Sequence, residues 1–262
     1  MAAFLVAVKI VVTIATVLGL SVVAEHVSPR VAGVLSGYPL GAAIALFFFG
    51  RDIGPGFAAE SAVYTIGGLT GTLCFVYGYY LTARRCDRWA IPMAPIGATA
   101  GYAVVIGMLQ AIGLTKTAAV VLAVAVTIGF AFMFRHIEDA AIERPIRLTF
   151  GVMMLRAVLA AVTIVVITGA AKWIGTRWSG LLAAFPTTLF PLMLIVHFNY
   201  GSAAVNTIIK NFPRGLGSLI LYALCVSVVY PRWGVYLGTF VSFAVATTYL
   251  AVYGTLVSKT GN

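Results

Sequence analysis

Few residues in this chain can do chemistry, and three of them stand at helical spacing. Asn206, Lys210 and Arg214 recur every fourth position, which places them on one helical face, and Thr207 and Asn211 widen that face. A wall of one amide and two cations suits a carboxylate or a phosphate. Glu60 is the one acid inside an apolar stretch, where it reads as a counter-ion or a proton carrier. His197, in "VHFNYGS", titrates near neutral pH and fits a proton relay.

Each of these residues also has a plainer reading. "GSAAVNTIIKNFPRG" fits an amphipathic segment at the headgroups, with Lys210 and Arg214 snorkelling and the span proper starting near Gly215. Glu60 lies early in its own stretch and fits the interface as well. A histidine at a span end is commonly a hydrogen-bonded interface residue. Lys9 and Arg156 stand early in apolar stretches and are expected to snorkel. Tyr77, Tyr79, Tyr80, Trp89, Trp173, Trp178 and Trp233 fall near span ends and read as an aromatic belt.

No enzyme constellation is present. The chain has no H-E-x-x-H and no G-x-S-x-G, and "GGLTG" (67–71) lacks the Lys-Ser/Thr of a phosphate loop. Cys74, Cys86 and Cys225 have no C-x-x-C spacing and fit neither a disulfide framework nor a metal site. The expectation is a protein that is not an enzyme and has no cofactor and no metal.

The elements that must carry these residues follow from composition. The chain is 61% hydrophobic and 9% charged, with a mean hydropathy of +1.04. Soluble domains carry about a quarter charged residues, so this is a polytopic membrane protein. The net charge of +10 is scattered through short loops, which argues for anionic headgroups as partners and against nucleic acid. The N-terminal apolar run lacks a basic segment ahead of it and reads as a retained span rather than a signal peptide.

A span needs about 20 apolar residues. Nine candidates result: 3–23, 31–50, 56–82, 90–112, 116–135, 148–171, 179–199, 202–229 and 233–257. The longest loop is 135–147. Loops after odd-numbered spans, with the C-terminus, hold eight Lys and Arg against five on the other side, which places the N-terminus outside and the C-terminus in the cytoplasm. The expected location is a cell inner membrane, with a homodimer possible for so small a unit.

An internal repeat organises the spans. Adding 147 carries Arg30 onto Arg177, Gly33 onto Gly180, Pro39 onto Pro186, Gly54 onto Gly201, Gly68 onto Gly215 and Arg85 onto Arg232. Lys9 falls on Arg156 and Asp52 on Asn199. The expected architecture is all-α, with two inverted four-helix repeats, 1–112 and 148–262, joined by a linking helix and polar loop in 113–147. Pro39 and Pro186 break spans 2 and 7 at matching points. Pro191 follows closely in the second. Either the carbonyls freed at the breaks line a binding site near the midplane, or each break is a proline kink satisfied by neighbouring hydroxyls.

"GLLAAFPT" (180–187), "HFNYGS" (197–202) and a basic residue before a last pair of spans resemble the GlpM family of small bacterial membrane proteins. The likeness covers roughly 150–257 and is fainter in the first half. It implies a four-span unit that this chain contains twice. The family brings no defined activity with it. The expectation drawn from the residues is a proton- or sodium-coupled secondary transporter of a small anionic or polar solute, with Pro39, Glu60, Pro186, His197, Asn206, Lys210 and Arg214 at its site. A translocator of lipid or lipid-linked sugar and a non-transporting assembly protein are the alternatives.

Overall fold

In hydrocarbon every backbone N–H and C=O must find a partner within the protein, and the α-helix does this within one segment. Every element of the computed structural model is accordingly a helix among the described residues, which are 2–25, 29–86, 89–137 and 150–260. They are α1 (Ala2–Glu25), α2 (Pro29–Ser36), α3 (Leu40–Asp52), α4 (Pro55–Arg85), α5 (Ala90–Ala111), α6 (Lys116–Phe134), α7 (Phe150–Ala183) and α8 (Leu189–Thr260). Pro29 and Pro55 open α2 and α4, where a missing N–H costs nothing. The Thr115 hydroxyl caps α6 by accepting from the Ala118 N–H at 3.2 Å. Most of the polar loop 135–147 lies outside the described residues, as do Arg88, Arg144, Arg147 and the side chains of Arg156 and Lys259.

Among the described residues, five stretches are long and apolar enough to cross a membrane: Pro29–Asp52, Ala90–Ala111, Lys116–Phe134, Ala157–Ala183 and Leu189–Thr255. The last would run about 100 Å if straight, more than three times the hydrocarbon thickness. It does not run straight. α8 is interrupted at Gly201 (φ 78°, ψ −178°) and Gly234 (φ 77°, ψ 175°), and α7 at Gly175 (φ 75°, ψ 176°). Gly54, between α3 and α4, has φ 147° and ψ 156°. Only glycine occupies this backbone region without strain. The glycines therefore divide α7 and α8 into arms 150–174, 176–183, 189–200, 202–233 and 235–260.

The arms keep the offset of the repeat. α2 at 29–36 and the arm 176–183 differ by 147 at both ends, and so do the Gly54 and Gly201 turns. α4 is the centre of the bundle and is buried along most of its length by α3, α5, α6, α7 and α8. Thr65, Gly67, Gly68, Gly71 and Thr72 of α4 are buried against protein rather than lipid, which explains why it lacks the hydropathy of a span. Large apolar side chains point outward all around the periphery: Met108 on α5, Ile128 on α6, Val166 on α7 and Phe240 on α8 are exposed. An apolar belt of this kind is what lipid tails solvate.

The crossing of α2 with the arm 202–233 brings backbone against backbone. A Cβ on Gly37 would collide with the Gly215 carbonyl carbon, and one on Gly215 with the Val34 carbonyl oxygen. Backbone cannot move aside as a flexible side chain can. In detergent, Gly37→Leu is expected to lose the folded, monodisperse protein, and Gly201→Ala to lower stability by about 1–3 kcal/mol. Gly129→Leu, at a site with open space, is the neutral comparison. Thermal unfolding followed by size-exclusion chromatography reads all three.

Candidate functional site

The two breaks are built alike, bond for bond. At the first, the N–H groups of Gly37, Tyr38, Leu40 and Ala43 donate to the carbonyls of Val34, Leu35, Tyr38 and Pro39 at 3.1, 3.0, 2.8 and 2.7 Å. At the second, Ala184, Phe185, Thr187 and Phe190 donate to Leu181, Leu182, Phe185 and Pro186 at 3.3, 3.0, 2.7 and 2.8 Å. Every donor and every acceptor differs by 147. The proline ends one helical arm and its carbonyl starts the next. Pro191 does not break the chain again: it falls in the first turn of the arm 189–200, where its N–H would have no helical partner.

Hydroxyls take up carbonyls freed at the breaks. Tyr102 donates to Leu181 at 2.6 Å and Thr72 to Ala184 at 2.6 Å, while Ser218 donates to Gly37 at 3.0 Å. These donors come from the opposite half of the chain, so each half seals the break of the other. Tyr249, the counterpart of Tyr102, donates to the Arg214 carbonyl at 3.3 Å. Gly41 sits against Thr187, and the gap left between the breaks is about 20 Å³, room for roughly one water. In this arrangement the carbonyls of Gly37, Leu181 and Ala184 already serve hydroxyls.

The sequence-derived residues are distributed as follows. Pro39 and Pro186 are buried, and Pro186 lines the gap. Glu60 is exposed near the start of α4. His197 is buried and its Nδ1 lies 2.9 Å from the Tyr79 hydroxyl, so Tyr79 belongs to the core and not to an aromatic belt. Trp89, Trp173 and Trp233 are exposed, as a belt requires. Asn206, Lys210 and Arg214 are half-buried on the unbroken arm 202–233, with Thr207 and Asn211 buried beside them. Arg214 donates to the Asn211 Oδ1 at 2.6 Å. The structure thus brings the two broken segments together at the gap, keeps the Asn206–Arg214 face as a unit, and leaves Glu60 at the surface.

Lys9 departs from expectation. It does not snorkel: it is 7% exposed, and its Nζ lies 2.7 Å from Asp52 and 3.0 Å from the Thr168 hydroxyl, over the Phe48 ring. A buried ammonium ion needs this company, because losing its counter-charge strands it in a low dielectric. The sequence showed both residues but not the pairing, since 43 positions separate them. Their charges alone carry no signal of mutual contact.

Contacts between the halves are reciprocal. Gly33 abuts Ile208 and Asn211, and Gly180 abuts Ser61 and Tyr64. Gly215 abuts Val34 and Gly37, and Gly68 abuts Leu181 and Ala184. Each contact becomes the other when the halves exchange places. Positions rise together in each pair, so α2 runs parallel to the arm 202–233, and the arm 176–183 runs parallel to α4.

Fold and lipid-facing belt together define an all-helical membrane protein. Protein-family models, curated proteins and solved structures were all compared with the chain, and none matches it.

Asp52→Asn is expected to destabilise the protein by about 3–5 kcal/mol by leaving Lys9 uncompensated. Lys9→Met combined with Asp52→Asn should recover part of that loss. Unfolding in detergent of the two single variants and the double variant measures the coupling, and additive losses would mean that the pair is not coupled.

Proposed function

We propose that this chain is an integral membrane transporter built from two inverted copies of one helical quartet, moving a small anionic or polar solute between them. The reciprocal contacts carry this reading. The chain travels from Arg30 to Asp52 before entering α4, so α2 and α4 start at opposite ends of the bundle. Because α2 parallels the arm 202–233 and the arm 176–183 parallels α4, Arg30 and Arg177 belong at opposite ends too. An antiparallel pair of units is the common plan of secondary transporters, with the site where discontinuous helices meet. The GlpM likeness fits a four-span ancestor of each unit.

Motion would occur at the breaks. The hydroxyl bonds from Tyr102, Thr72 and Ser218 are the contacts to be exchanged, and parting the two breaks would widen the one-water gap. The Lys210–Arg214 face, on an arm crossing the first break, would supply the cations for the solute.

A second reading, translocation of a lipid or lipid-linked sugar, has one observation in its favour. The large cavity bearing cations, about 440 Å³ beside Arg30 and Arg214, lies at the flank of the bundle and not between the breaks.

Two experiments test these readings. With Cys74, Cys86 and Cys225 replaced, Arg30→Cys and Arg177→Cys should react with an impermeant thiol reagent from opposite sides of a sealed vesicle. Labelling from one side only removes the inverted plan. In proteoliposomes, uptake of a panel of small carboxylates and phosphates should fall by about tenfold or more in Arg214→Ala, as expected for loss of a charge-assisted contact. Movement of labelled phospholipid without any solute uptake would favour the second reading.

A further inference from the structure

Three cavities along one flank follow one another, each sharing lining residues with the next. The first, about 440 Å³, is lined by Arg30, Asn211, Arg214 and Tyr253 on its polar side and by Val31, Val34, Leu35 and Leu250 on its apolar side. The second, about 410 Å³, shares Leu35 and Leu250 with it and continues past Ala15 and Leu40. The third, about 290 Å³, shares Thr16 and Leu40 with the second and ends among Val12, Ile44, Phe47 and Phe243. Together they run as a groove along the arm 235–260, with α2 and the arm 202–233 facing it at the head and α1 and α3 facing it farther on. Two guanidinium groups stand at one end, and the far end is almost wholly apolar. No Asp or Glu lines any of the three among the described residues.

Among the described residues, the counterpart of the groove's head in the other half is filled. Subtracting or adding 147 turns Arg30 into Arg177, Asn211 into Tyr64 and Arg214 into Gly67. In that twin position the Arg177 guanidinium lies over the Tyr64 ring at 5.9 Å, and the Leu114 side chain occupies the space above Gly67. One arginine there meets an aromatic face, and the linker before α6 plugs the rest. At the head position, the half containing Arg30 and Arg214 offers two cations and an open volume of about 440 Å³, within the roughly 300–1,000 Å³ of ligand sites.

We infer that this groove binds one anionic phospholipid, its phosphate between Arg30 and Arg214 and an acyl chain along Leu35, Leu250, Leu40 and Phe47. Arginine matches phosphate geometry through paired N–H donors, and the Asn211 Oδ1 fixes the Arg214 guanidinium at the head of the groove. A free phosphate would satisfy the cations but leave the apolar stretch unfilled. A neutral lipid would fill the stretch but not the cations. The site is a static binding feature and stands whether or not the protein transports anything.

The test uses the full chain purified in a nonionic detergent. Short-chain phosphatidylglycerol, short-chain diacylglycerol and glycerol phosphate are titrated separately, with thermal stability and native mass spectrometry as readouts. Phosphatidylglycerol should form a one-to-one adduct and raise the melting temperature, and the other two should do neither. Arg30→Gln and Arg214→Gln should each weaken the adduct about tenfold, the effect of one charge-assisted contact. Gly254→Leu is a second variant that keeps both arginines: Gly254 lines the head of the groove, and a Cβ there meets nothing within 4 Å, so the added side chain should fold in place and displace the lipid. Equal retention by the folded Gly254→Leu protein, equal binding of diacylglycerol, or equal stabilisation by glycerol phosphate would each overturn the assignment.

Discussion

The close approach of backbone at two reciprocal crossings governs the rest of this structure. Gly37 meets the Gly215 backbone, and Gly180 meets the Ser61 backbone, with no side-chain spacer between the helices. Between membrane helices there is little hydrophobic drive, so dispersion at short range and hydrogen bonding must hold them. Small residues make both available at once. They let α2 lie on the arm 202–233 and let α4 lie on the arm 176–183. They also bring Ser218, Thr72 and Tyr102 within reach of the carbonyls that the breaks release.

That second consequence explains why helices can be broken in an apolar medium. A proline at 39 and another at 186 each stop the helical ladder, and the orphaned carbonyls would be costly in lipid. Here the hydroxyls that satisfy them come from the opposite half of the chain. The breaks are therefore stable only when the halves are assembled, and any relative motion of the halves must exchange those bonds. The assembly of the halves thus rests on the same few contacts that satisfy the breaks.

Charge follows a similar logic. Lys9 is buried because Asp52 and Thr168 receive it, and Arg214 is held by Asn211 at the head of the lateral groove. At the offset of 147, backbone geometry matches more faithfully than side chains. Tyr64 stands where the second half has Asn211, Gly67 where it has Arg214, and Gly50 where it has His197. Two similar frames thus carry different side chains, and the open cavity beside Arg30 and Arg214 lies where they differ.

Much was legible in the sequence because it depended on local rules. Composition showed a membrane protein, and the spacing of Arg, Gly and Pro at an offset of 147 placed both breaks, since proline and left-handed glycine constrain the backbone wherever they occur. The face of Asn206, Lys210 and Arg214 was readable from a period of four. The pairings were not: Lys9 with Asp52, Tyr79 with His197 and Arg30 beside Arg214 join residues far apart along the chain, and helical periodicity is silent on which faces meet. Tyr79 looked like a belt residue because a span end is all the sequence reveals, whereas burial depends on which neighbour packs there. The chain by itself determined where helices form and where they must break; tertiary packing alone decided which freed carbonyl, buried charge and groove would meet, because those encounters depend on distances in space that no local pattern encodes.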